Sequence, residues 1–177
     1  LLIRRTLEAV YQNYQGDKTA PEFLKMEEYL KRVWFSNGIH HHYGMDKFIP
    51  GFSSEFLQTE INKIDTSLLP LSKDQTVEQL CELIFPVIFD STVMPKRVNQ
   101  ADGEDLVLTS ACNYYQGVTQ KEAEDFYDKM KDPSDKMPVS YGLNSRLVKE
   151  NGIVQEKVWK VGGLYTEAIE KVVYWLK

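Results

Sequence analysis

Three consecutive histidines, His40, His41 and His42, sit between Gly38 and Gly44 in the stretch SNGIHHHYGMDKFIPGF, residues 36–52. They are the only histidines in the 177-residue chain, so any imidazole chemistry must come from them. A zinc site needs three or four lone pairs converging on one point at about 2.0–2.3 Å. Consecutive side chains diverge instead, alternating faces in a strand and stepping by roughly 100° in a helix. Only His40 and His42 can share a site, and only where the segment is extended. Carboxylates would have to complete the shell, because no other His and no paired cysteines accompany them. The competing reading is a polar loop after a helix, with Gly38 and Gly44 supplying turns.

Elsewhere the residue patterns offer no complete active site. There is no G-x-S-x-G, no H-E-x-x-H, no P-loop and no G-x-G-x-x-G. Cys81 falls in an apolar helical run and Cys112 in a predicted strand, so both read as buried thiols at a spacing that matches no zinc pattern. The carboxylates of MEEY and EAED lie at helical positions and read as solvated faces.

The elements that must position these residues are legible from caps and periodicity. The run Leu2 to Tyr14 is helical, with Gly16 as terminator. Thr19 with Glu22, Ser72 with Gln75, and Thr119 with Glu122 each have the spacing of a capping box before an apolar run. Phe23, Met26, Leu30 and Val33 form one helical stripe, and Val77, Leu80, Cys81 and Ile84 another, with Pro86 expected to end or kink its helix. A surface helix is predicted over Ser53 to Ile64, and a last helix over Tyr165 to Leu176. The β-branched and aromatic run Leu106 to Tyr115 predicts a strand, and Asn151-Gly152 between alternating segments predicts a hairpin. The fold expected is a helix-dominated α+β domain over residues 1–177 with a small antiparallel sheet.

Composition narrows the function classes. Hydrophobic residues make up 42% and charged residues 27%, as in a globular domain, and aromatics reach 12%. A formal charge of −5 argues against a nucleic-acid partner, and no apolar run reaches the length of a membrane span. The opening LLIRRTLEAVY reads as mid-helix, without an initiator Met or a signal-peptide pattern, which predicts an excised piece of a longer polypeptide.

The residues beside the histidines carry a resemblance. YGMDKFIPGF, residues 43–52, is similar to the aromatic-Gly-x-x-Lys-Phe-x-Pro stretch of dipeptidyl peptidase III enzymes, zinc exopeptidases that release dipeptides from peptide N-termini. The likeness continues in order through VEQLCELIFP, CNYYQGVTQKEAEDFYDKMK, YGLNSRLVKENG and VWKVGGLYTEAIEKVVYWL, spanning roughly residues 30–177. NGIHHHY fits the bacterial branch best. The resemblance implies a segment of the lower of two lobes, forming one wall of the peptide cleft. Tyr43 and Gly44 match the aromatic-Gly pair of that wall, near the substrate's amino terminus, with Tyr43 standing where other branches carry phenylalanine. The zinc-binding His-Glu-x-x-Gly-His helix is absent from these residues, so the cofactor expected within them is none, with zinc held by the parent enzyme. Expected partners are a peptide substrate, through the intact enzyme, and the remaining lobe of the same polypeptide. The cytoplasm is the favoured compartment, with the periplasm open. The rival readings are a stand-alone binding module and a small metal-binding domain using His40 and His42.

Overall fold

A computed structural model describes residues 1–137 and 139–177 as two compact units, 1–97 and 98–177. The class is α+β: among the described residues six α-helices accompany one three-stranded sheet. None of these helices is long and apolar enough to cross a membrane.

The first unit is helical. Its elements are α1 (Leu2–Asn13), α2 (Pro21–Ser36), α3 (Ser54–Ile61) and α4 (Val77–Phe89), with a 3-10 turn at Thr66–Leu68. The expected stripes pack together: Leu7 and Val10 of α1 meet Phe23, Met26, Leu30 and Val33 of α2, and Leu80, Ile84 and Ile88 of α4. Burying an aliphatic side chain of this size contributes about 1.5–3 kcal/mol relative to leaving it in water. Helix α3 is a correction to the surface reading, because Leu57 and Ile61 are fully buried in the same core and Glu60 is buried too.

Two helix starts also differ from the sequence reading. Thr19 does not cap α2. Its N–H and hydroxyl both donate to Asp17 at 2.8 and 2.7 Å, and Pro21 opens the helix instead. Glu22 accepts from the N–H and hydroxyl of Ser53 at 3.0 and 2.9 Å, so it fastens the start of α3 to α2. The capping box of α4 is Thr76 with Gln79, one turn beyond Ser72 and Gln75. Helix α4 continues through Pro86 to Phe89.

The second unit holds the sheet, ordered β1 (Tyr115–Gln116), β2 (Ser145–Glu150), β3 (Ile153–Val158). The hairpin forms where expected, with Asn151 and Gly152 both at positive φ, 51° and 79°, as a two-residue turn requires. The sheet is mixed and not purely antiparallel, because β1 runs parallel to β2. The strand expected over Leu106 to Tyr115 is reduced to Tyr115 itself within β1. Upstream, Asp105 accepts from the N–H groups of Val107 and Leu108 and holds that run in turns, leaving Cys112 half-buried in a loop. Helix α5 (Gln120–Asp128) carries the predicted Thr119–Glu122 capping box and packs Ala123 with Val118 and Leu147. Helix α6 (Thr166–Leu176) buries none of its residues.

Candidate functional site

The histidine segment is built as a tight turn. The His41 N–H donates to the Asp46 carbonyl at 2.8 Å, and the Met45 N–H donates back to the His41 carbonyl at 3.0 Å. Closing the turn puts Met45 in the left-handed region at φ 65°, a strained choice for a residue with a Cβ. The turn is anchored from below by the Lys of the DKF motif. Lys47 is buried, and its ammonium donates to the carbonyls of Val87 at 3.0 Å, Val93 at 2.6 Å and Asp90. Val87 lies in the last turn of α4, whose carbonyls have no partner within the helix, so the ammonium caps that end. The Lys47 N–H adds a bond to Pro95, and the Arg97 N–H one to Met45. Burial holds the Lys47 pKa below the usual lysine value, with the Asp90 carboxylate opposing the shift.

The three histidines have separate surroundings. His40 is buried, and its Nε2 lies 2.9 Å from the Met94 carbonyl oxygen. A carbonyl only accepts, so Nε2 is the protonated, donating nitrogen. Burial pushes the His40 pKa below the ordinary histidine value, and the Lys47 and Arg97 cations add to this against the Met94 bond. His41 Nδ1 accepts from the N–H groups of Gly44 at 2.9 Å and Tyr43 at 3.3 Å. The neutral His41 ring therefore carries its proton on Nε2. His42 Nδ1 lies 3.3 Å from the Ser36 hydroxyl.

His40 lines one concavity, with Ile39 and Arg97, whereas His41 and His42 line another. These residues do not fit a zinc centre. His40 spends Nε2 on a carbonyl, and among the described residues no three His, Cys, Asp or Glu side chains are grouped as a metal site requires.

What His41 and His42 do line is a concavity of about 750 Å³ with Leu24, Phe35 and Phe48. Its floor is the α2 face opposite the core stripe, with Glu27, Glu28, Lys31 and Arg32 along it. Those charges neutralise one another: Glu27 pairs with Lys31 at 3.1 Å and Glu28 with Arg32 at 2.6 Å. Lys31 and Tyr11 hold the Glu27 carboxyl below its usual range, and Lys25 and Arg32 do the same for Glu28.

Rings form a surface cluster at the mouth of this concavity. The His42 centroid lies 4.9 Å from Phe35, 4.9 Å from His41 and 4.2 Å from Tyr43. Tyr43 is 82% exposed and Phe35 78%. The expected binding pair, Tyr43 and Gly44, thus sits on an open aromatic surface. Nothing within the chain demands glycine at 44. A Cβ there would meet His41 Nδ1 at 3.5 Å, an ordinary contact, and the residue is not in the left-handed region. The sequence reading does not name His41, Phe35 or Phe48 as binding residues. For Phe35 the signal is a second stripe on α2, Leu24 to Phe35, which the core periodicity does not use; His41 and Phe48 lie beyond that helix and carry no such signal.

No protein-family model matches this chain, and no curated protein is significantly similar to it in sequence.

Proposed function

We propose that this chain forms a non-catalytic wall of the substrate cleft in a zinc-dependent dipeptidyl peptidase, which removes dipeptides from peptide N-termini. The observation that carries the reading is the exposed cluster Phe35–His42–Tyr43, which joins the end of α2 to the first residue of the YGMDKFIP motif beside a concavity of ligand size. An extended peptide meets three kinds of partner here. The rings offer apolar surface, the bare Cα of Gly44 admits close backbone approach, and His41 Nε2–H is a donor for a peptide carbonyl. The wall binds and orients, and the remaining lobe of the parent supplies the zinc ligands and the general base.

Gly44 gives the reading a clean test. Gly44→Ala meets only an ordinary contact within the chain, so it leaves the melting temperature unchanged, while its methyl group stands where a peptide backbone approaches. The expected result is unaltered thermal unfolding and tetrapeptide affinity lowered by about tenfold, the equivalent of one blocked hydrogen bond. Unchanged affinity for the peptide would remove the basis for placing substrate at this turn.

A further inference from the structure

The second unit contains a concavity of about 650 Å³ walled by Tyr114, Tyr115, Tyr127 and Tyr141, with Lys131 and Gly142 at its margin. We infer that it is a binding site for an organic cation, an alkylammonium or guanidinium group. This site shares no residue with the proposed cleft wall and stands independently of it.

The rings are held in place before any ligand arrives. Tyr127 and Tyr141 stack at 6.5 Å and 23°, and Tyr114 stacks on Trp159 at 5.7 Å and 26°. The Tyr141 hydroxyl donates to the Met130 carbonyl at 2.9 Å, and the Tyr127 hydroxyl to Glu156 Oε1 at 3.3 Å. With both hydroxyls committed, what these residues offer a ligand is aromatic ring. Gly142 makes the arrangement possible. It sits at φ 75°, and a Cβ there would lie 2.8 Å from the Tyr127 hydroxyl oxygen.

Charge selects the class of ligand. The Glu156 carboxylate, at the hydroxyl end of Tyr127, accepts only from Tyr127 and from the buried Ser145 hydroxyl, both neutral donors. Among the described residues no cationic side chain reaches it: its neighbour Lys157 pairs with Glu150, and Lys149 pairs with Glu122. Lys131 is already matched by Asp128 at 2.7 Å. The uncompensated charge is therefore negative and lies one hydrogen bond behind the wall, at the Tyr127 hydroxyl, while the one charged lining residue, Lys131, is neutralised by its pair. An anion is repelled, a neutral ligand leaves that charge unmet, and a cation gains both the carboxylate's field and the ring faces.

The test is an NMR titration of the full chain with choline, with its neutral isostere 3,3-dimethylbutan-1-ol, and with N-acetyl-arginine amide. Choline is expected to bind at least about tenfold more tightly than the isostere, with amide shifts centred on residues 114–115, 127 and 141. Glu156→Gln keeps one side-chain oxygen to accept from both hydroxyls, as Oε1 does, and is expected to cut that preference several-fold; Tyr114→Leu weakens both cations without touching the Tyr127 network. Stronger binding of the arginine amide than of choline identifies a polypeptide side chain as the source of the cation, and the reverse identifies a free quaternary amine. Equal binding of choline and its isostere overturns the inference, as does binding by neither cation.

Discussion

Replacing Lys47 with methionine keeps the stem and removes the ammonium that closes α4 onto the segment after it. Three carbonyls, those of Val87, Asp90 and Val93, lose their donor in one step. A hydrogen bond from a charged donor contributes about 1.5–3 kcal/mol net, but three bonds from one ammonium share a single desolvation cost. Water can reach some of the abandoned carbonyls, so the cost is nearer one kilocalorie for each, about 3 kcal/mol in all. At a urea m-value of about 1.5 kcal/mol/M, the unfolding midpoint of the first unit falls by about 2 M. Trp34 is the only tryptophan in residues 1–97, so its fluorescence follows that unit once Trp159 and Trp175 are changed to phenylalanine. Hydrogen exchange gives a second readout, because the Lys47 and Arg97 amides bond to Pro95 and Met45 across the same clamp. A midpoint shift below about 0.3 M, with both amides still protected, refutes the reasoning: the ammonium would then not be holding the segment.

The other perturbations follow from single contacts. His40 has a folded pKa below its ordinary 6.5, so the folded state binds fewer protons than the unfolded chain. Its stability contribution is complete above about pH 6.5 and is lost as pH falls from there toward the lowered folded value; urea midpoints across pH 5 to 8 should show the slope, and His40→Asn should flatten it. Thr76→Ala removes the side chain that accepts from Gln79 N–H and breaks the α4 capping box, costing about 1 kcal/mol by thermal unfolding. Leu57→Ala cuts a fully buried side chain from α3 and should cost about 2–5 kcal/mol, whereas a surface helix would lose almost nothing. Gly142→Ala should pull Tyr127 away from Glu156, read as a changed Tyr127 ring environment by NMR.

How far the sequence was legible depended on whether the deciding contacts were local. The Thr119–Glu122 box and the Asn151-Gly152 turn involve residues within three positions of each other, and both formed as read. Thr19 does not cap α2 because two competitors win: Asp17 captures its hydrogen bonds, and Glu22 is drawn to Ser53, 31 residues away. The run Leu106 to Tyr115 has strand composition but lies in a polar net. Asp105 bonds Val107, Leu108 and Gln120, while Asn99 bonds Glu104 and Thr109 and its N–H reaches Ser110. Such side-chain capture of backbone donors outweighs β-propensity and leaves no trace in periodicity.

For the candidate site, the sequence marks a segment, and its neighbours come from the fold. Geometry of consecutive side chains left His40 and His42 able to share a site, and the structure instead places them in different concavities; the motif marks Tyr43 and Gly44. The sequence could not say that Lys47 turns inward to cap α4 forty residues later, or that His41 is locked by its own turn. Nor could it bring the outer stripe of α2 up to the histidine turn: the two are close in the chain, but the direction in which the chain folds back after α2 is set by the Lys47 and His40 contacts to residues 87–94.

The most direct test of the cleft-wall account is a residue-by-residue map of where peptide touches the chain. A 1H–15N titration with an unblocked tetrapeptide should move the amides of Phe35, His41, His42, Tyr43 and Gly44, and Tyr43→Ala should weaken that response several-fold. Shifts confined to other surfaces, or none at millimolar peptide, would contradict the assignment of this turn to a peptide cleft.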